Sequence, residues 1–250
     1  MQEITSVNND LVKETVKLQQ KKYRDKTGKF LLEGFKCIEE AFNAGLEIEY
    51  AFVLKEKQAE YGFLGECVVC TSEPVLKKIS TTDSAPDAVA IARKKLYSVE
   101  DLKNTKKVVL LENIKDLGNL GTVLRSSVAF GADAVVLYGK ECADLYNPKC
   151  VRSTVGNLWK IPVVYIEKFD VLQNLFGNFE RLATLPRAKE FLKECKVKAP
   201  LLVMFGSEAD GLSNELIKFS TKHVKIEMSD RVESLNLSVS CAVVLYELFV

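Results

Sequence analysis

Three short segments in the C-terminal half of the chain put amide, hydroxyl, carboxylate and guanidinium groups where apolar runs give way to polar ones. The first is Asn119-Leu-Gly-Thr-Val-Leu-Arg125, continuing to Phe130-Gly131. An asparagine opening a helix, with an arginine six residues on, could orient a phosphate or a ribose. An N-cap followed by a surface arginine is the plainer reading. The second is Phe205-Gly-Ser-Glu-Ala-Asp-Gly-Leu212. Its glycines permit a tight turn and a close approach of backbone to ligand, and Glu208 can accept hydrogen bonds. A simple strand-to-helix turn would explain the glycines but would not require the glutamate. The third runs from Ile226 to Ser240 and holds Ser234-Leu-Asn236-Leu-Ser238 ahead of an apolar helix. Its hydroxyls and amide would lie beside unpaired helix N-terminal N–H groups, although a well-capped helix would look the same.

Other chemistries find little to use. His223 is the single histidine, so a Ser-His-Asp or Cys-His set would have to run through it, and no G-x-S-x-G elbow is present. A structural histidine is the better reading. Cys67-Val-Val-Cys70 has redox or zinc spacing, but it sits in an apolar strand and no second pair answers it. Those thiols read as buried. Neither a Walker A sequence nor a G-x-G-x-x-G after a strand occurs. No metal is expected.

The chain that must position these groups has 250 residues, 47% hydrophobic and 28% charged, as in an ordinary soluble globular protein. No apolar run reaches the ~18 residues of a membrane span. The N-terminus lacks the basic-then-apolar pattern of a secretory signal, and seven cysteines without one point to reduced thiols in the cytoplasm. A formal net charge of +1 gives no global argument for a nucleic-acid partner. Locally, Lys17, Lys21, Lys22, Arg24, Lys26 and Lys29 gather around Tyr23. Such a segment could track a phosphate backbone, or could simply be a solvated helix face.

The pattern divides in two. In the first half a helix is predicted from Asp10 to about Arg24, a strand over Lys29–Gly34, a helix over Cys37–Asn43, and strands at Tyr50–Leu54, Cys67–Thr71 and Val89–Ala92. The charged stretch Lys94–Lys107 marks the boundary, giving a small α/β domain at 1–98, a linker at 99–106 and a second domain at 107–250. There, strands are predicted at Val108–Leu111, Ala134–Leu137, Val163–Ile166, Leu201–Phe205 and Val224–Ile226. Helices are predicted over Asn119–Phe130 and from Ser238 onward. Near-continuous apolar strands separated by helices indicate a parallel sheet covered on both faces, with ligands bound beyond its carboxyl edge.

Taken together, the three segments resemble the motifs of the SpoU (TrmH) family of RNA 2'-O-ribose methyltransferases, in the same order and at the same spacings. Asn147-Pro-Lys-Cys-Val-Arg-Ser-Thr-Val-Gly156 resembles a further segment of that family. Ile4-Thr-Ser6, Asn8, Lys22-Tyr-Arg24 and Phe30-Leu-Leu-Glu-Gly34 resemble the L30e-like substrate-binding extension of its ribosomal-RNA members. The resemblance implies a C-terminal parallel-sheet α/β trefoil-knot (SPOUT) domain, although knots are otherwise rare. It implies S-adenosylmethionine as methyl donor, an RNA substrate (ribosomal RNA favoured over transfer RNA) and a homodimer formed through the C-terminal domain. A transfer-RNA enzyme, or an RNA-binding homologue that has lost methyl transfer, would be the alternatives.

Carried onto this chain, the resemblance assigns catalysis to Arg125, supported by Asn119, Glu208, Ser234 and Asn236. It assigns the donor to Thr184, Gly206, Gly211, Ile226, Met228, Leu235 and Ser238, and RNA contact to Lys22, Arg24, Lys149 and Arg152. Two positions depart from the family pattern. Glu227 stands where a proline follows the motif-three isoleucine, and Asp230 where a glycine lies four positions after it. A left-handed backbone at Asp230, or a bare charge at Glu227, would weaken donor binding or reshape the loop.

Overall fold

The computed structural model describes residues 2–250. The chain divides into two compact units, one formed by the chain up to Lys95 with Asp144–Trp159, the other by Leu96–Ala143 with Lys160–Val250.

The first unit runs β1 (Gln2–Ile4), α1 (Asp10–Lys17), α2 (Lys21–Thr27), β2 (Lys29–Glu33), α3 (Phe35–Asn43) and β3 (Ile48–Leu54). A 3-10 stretch (Lys55–Cys67), β4 (Val68–Thr71), α4 (Glu73–Ile79) and β5 (Ala88–Arg93) follow. Its mixed sheet has the order β1-β4-β3-β5-β2, with β5 antiparallel to both neighbours. Leu31, Phe52, Val69 and Val89 of the sheet bury against Val12 of α1 and Val75, Leu76 and Ile79 of α4. The single helix expected from Asp10 to Arg24 is instead two. Gln20 is extended (φ −97°, ψ 134°), and the carbonyls of Leu18 and Gln19 each accept from Arg24 Nη1 at 2.8 Å. The Gln19 side chain meanwhile donates to the last carbonyls of α4. The Arg24 side chain thus takes over the Leu18 and Gln19 carbonyls that would have continued the helix, while Gln19 ties the break to the end of α4. Of the Cys67–Cys70 pair, Cys70 is buried, Cys67 is half-buried, and neither forms a disulfide.

The chain then enters the second unit as β6 (Lys107–Glu112), α5 (Leu117–Ala129) and β7 (Ala134–Tyr138), and returns to the first as α6 (Pro148–Ser153). It re-enters the second unit with β8 (Val163–Ile166), α7 (Phe169–Phe176), β9 (Glu180–Thr184), β10 (Glu190–Phe191) and β11 (Leu201–Phe205). It ends with α8 (Asn214–Phe219), β12 (Lys222–Lys225) and α9 (Leu237–Phe249). The seven-stranded sheet is parallel throughout, in the order β10-β12-β9-β11-β6-β7-β8. β7 and β11 are buried at every residue, as strands covered on both faces must be. From β6 the chain builds outward through β7 and β8, then resumes on the other side with β9 and β11. The order therefore reverses between β6 and β11, and a crevice opens at their carboxyl ends.

Candidate active site

All three motif segments meet at that crevice. Beyond β6, Asp116 caps α5 by accepting the Asn119 N–H at 2.7 Å, which fixes Asn119 in the first turn. Asn236 caps α9: its Oδ1 accepts from Ser238 N (2.9 Å), Ser238 Oγ (2.7 Å) and Val239 N (3.4 Å). With that oxygen held by donors, Asn236 Nδ2 must face outward, and it donates to Asn119 Oδ1 at 3.0 Å. Asn119 Nδ2 is then left to donate to Glu208 Oε1 at 2.9 Å. The N-terminus of α9 sets the direction of the whole polar chain, Ser238 to Asn236 to Asn119 to Glu208.

Glu208 rides on a loop that crosses itself. Ser207 and Gly211 exchange two backbone hydrogen bonds (3.2 and 3.0 Å), and Gly211 is left-handed at φ +67°. A Cβ added to Gly206 would lie 1.9 Å from the Gly211 carbonyl carbon, so only glycine fits there. Below this crossing lies a cleft lined by Thr184, Gly206, Gly211, Ile226, Met228 and Leu235. Ile226, Met228 and Leu235 are half-buried, and Thr184 ends β9 with its Oγ1 donating to the Met204 carbonyl at 2.9 Å. An apolar wall beside main-chain donors and acceptors suits a nucleoside.

Other expected site residues are placed differently. Ser238 is buried beneath Asn236 and does not line the cleft; it holds the asparagine that does. Ser234 is exposed on the cleft wall. Arg125 is exposed on α5, outside the cleft, with no hydrogen bond or ion pair among the described residues. His223, read as structural, also lines the cleft, with a ring nitrogen 3.3 Å from the Ile217 carbonyl. The two departures in the third motif are accommodated. Glu227 pairs with Lys193. The left-handed non-glycine residues, among those described, are Asn113 and Val155, so Asp230 bears no such strain. Asp116 and Lys193 were missed in the sequence, though the cap Asp116-Leu-Gly-Asn119 was readable.

In the first unit, Lys22 and Lys149 are exposed. Arg24 is not: its side chain is 1% exposed and donates to Asp144 Oδ2 through Nη2 (2.5 Å) and Nε (3.2 Å). Arg152 Nη1 pairs with the buried Glu33 carboxylate, and also donates to Thr81 Oγ1 at 2.6 Å. Both arginines fasten Asp144–Trp159 to the first unit's own helices and sheet. Among the described residues, no three His, Cys, Asp or Glu side chains converge as a metal site requires.

Comparison with known proteins points to one family. The profile of the SpoU rRNA Methylase family matches residues 106–246, and that of the MRM3-like substrate binding domain matches residues 9–90. The chain is 31% identical over 253 residues to an uncharacterized tRNA/rRNA methyltransferase, slr1673, of Synechocystis sp., covering 98% of this chain and 92% of that protein. It is 29% identical over 263 residues to the 23S rRNA (guanosine(2553)-2'-O)-methyltransferase RlmP of Bacillus subtilis, covering 99% of each. The solved structure of an AdoMet-bound rRNA methyltransferase from Sinorhizobium meliloti aligns with a TM-score of 0.88 at 27% identity, over 98% of this chain and 96% of that one.

Proposed function

The chain belongs to the SpoU rRNA methylase family, and we infer that it is an S-adenosylmethionine-dependent methyltransferase acting on a ribose 2'-hydroxyl of ribosomal RNA. The polar chain from Ser238 to Glu208, which ties the three motifs together beside the cleft, carries this reading. Thr184, Gly206, Gly211, Ile226, Met228 and Leu235 hold the donor's nucleoside. When bound, the donor supplies a sulfonium methyl group with a good leaving group, so what is left to the protein is positioning and removal of the hydroxyl proton. Arg125 orients and polarises the ribose hydroxyl. A guanidinium stays charged at neutral pH, so it acts as a donor rather than as the base, and the hydroxyl proton passes to solvent as the methyl group is transferred. Asn119, Glu208, Ser234 and Asn236 keep the mouth of the site in shape.

Residues 1–98 form the L30e-like substrate domain, 99–106 the linker and 107–250 the trefoil-knotted methyltransferase domain, with Asp144–Trp159 packed into the first unit. Lys22 and Lys149 contact RNA phosphate, while Arg24 and Arg152 hold the surface that presents them. The enzyme is a homodimer through α9, where Val239, Val243, Tyr246 and Val250 form an apolar stripe 40–82% exposed along one helix face. A two-fold pairing of that stripe with its copy buries it. No helix among the described residues is long and apolar enough to cross a membrane, and the cytoplasm is the proposed compartment.

The test is transfer of labelled methyl from S-adenosylmethionine to unmodified 23S-type ribosomal RNA and to transfer RNA. Label confined to ribosomal RNA, and lost with Arg125→Ala, is expected. Label in transfer RNA alone would overturn the substrate, and the absence of both label and donor binding would overturn the enzyme.

A further inference from the structure

Glu112, the last residue of β6, is only 6% exposed and lies outside the polar chain of the site. Its Oε2 accepts the backbone N–H of Ser213 at 2.7 Å. Ser213 is the N-cap of α8 and directly follows the Gly206–Leu212 loop that bears Glu208. The other end of that loop is held by the same stretch of β6, where Leu111 registers with Phe205 of β11. Two consecutive residues of one strand therefore fix both ends of the loop. Across from Glu112 in the β6–β7 register, Tyr138 donates its hydroxyl to Glu215 Oε2 in the first turn of α8 at 2.8 Å, a second tie on the same side. The loop has no slack to absorb a shift, because its backbone already touches itself at Gly206 and Gly211. A buried carboxylate is costly unless it is paired, and a charge-assisted bond to a backbone N–H is stronger than a neutral one.

We propose that Glu112 is a positioning residue for methyl transfer: it anchors the trailing end of the Gly206–Leu212 loop and thereby sets where Glu208 and the donor-facing backbone sit. This rests on the function proposed above.

The test compares Glu112→Ala, Glu112→Gln, Tyr138→Phe and Glu208→Ala in the full chain. It reads hydrogen exchange of the loop amides, calorimetric binding of S-adenosylhomocysteine, melting temperature, and kcat and donor KM. Glu112→Ala should deprotect the amides of residues 207–213 and weaken S-adenosylhomocysteine about tenfold or more while the protein still melts cooperatively. Glu112→Gln retains an acceptor for the Ser213 N–H and should recover most of that affinity. Tyr138→Phe should loosen the same amides with a smaller loss, and these two milder variants carry the test if Glu112→Ala does not fold. In a Glu208→Ala background the effect of Glu112→Ala on kcat should shrink, because the group it places is gone. Unchanged loop exchange and affinity in folded Glu112→Ala, equal losses in Ala and Gln, or strictly additive effects with Glu208→Ala would each overturn the anchor. If Glu208→Ala by itself leaves transfer intact, the role given to Glu208 fails, and if the wild type neither transfers methyl nor binds S-adenosylhomocysteine the function reading fails; loop exchange in Glu112→Ala decides the anchor in either case.

Discussion

Arg24 and Arg152 in the first unit and Arg125 in the second all come from motif-like segments, yet the fold uses them in opposite ways. Arg24 gives its guanidinium to Asp144, Leu18 and Gln19, and Arg152 gives its own to Glu33 and Thr81. Arg125 stands in solvent with no partner among the described residues. A cation whose donors are satisfied inside the protein can reach a phosphate only by abandoning a carboxylate that is itself largely buried. One held on an exposed helix face pays no such penalty. Residue type and motif context therefore say that an arginine matters, whereas its partners say whether it builds the surface or acts from it.

The largest effect that would sharpen this contrast is on stability. Arg24→Ala strands Asp144, whose side chain is 13% exposed, and should cost about 3–5 kcal/mol in urea unfolding. A loss below about 1 kcal/mol would place Arg24 among the free cations and erase the contrast. Next comes Arg125→Ala, which should lower kcat about 10²–10³-fold with an unchanged unfolding midpoint. Arg125→Lys should stay far below wild type, because an ammonium lacks the planar fork; full activity in that variant would break the role given to Arg125.

Smaller effects should appear in RNA binding. Lys22→Ala and Lys149→Ala should each weaken RNA a few-fold and flatten the slope of log affinity against log salt by about 0.7–1. Arg24→Ala, assayed in the cold where it stays folded, should leave that slope unchanged. The smallest effect is alkaline. Burial, ahead of an opposing backbone hydrogen bond at Glu33 and the nearby Arg152 charge, pushes the Cys37 thiol from 9.0 up to about 12. In the second unit, burial raises Cys142 to about 11. In the unfolded chain both would ionise near 9.0, so their contribution is whole below that pH. As pH rises from about 9 toward 11–12 the unfolded state loses its protons first, and stability should fall across that window. A flat unfolding midpoint from pH 9 to 11 would show the thiols to be open to solvent.

Much of the second unit was legible. Val163–Ile166 and Leu201–Phe205 are strands over the residues expected, because a strand buried on both faces is a plain apolar run. β9 was not: Glu-Arg-Leu-Ala-Thr has two buried residues and becomes a strand through pairing with β11 and β12 on either side. The split between α1 and α2 was hidden for a similar reason. Asp10 to Arg24 has good helical spacing, and at the break Arg24 bonds the carbonyls of Leu18 and Gln19. Ser238 looked like a ligand contact and turned out to hold Asn236, a distinction invisible while the two are only neighbours in a string.

By itself the sequence determined the apolar runs that become the parallel sheet and the three polar segments that meet at its carboxyl edge. These depend on local propensity and on burial, which neighbouring residues encode. The tertiary structure decided which polar groups meet: Asn119 with Glu208 across 89 positions, Asn236 with Asn119 across 117, and Arg24 with Asp144 across 120. Hydrogen bonds and ion pairs are short-range and directional, so whether an arginine is a fastener or a free cation depends on what the fold brings to within about 3 Å of it.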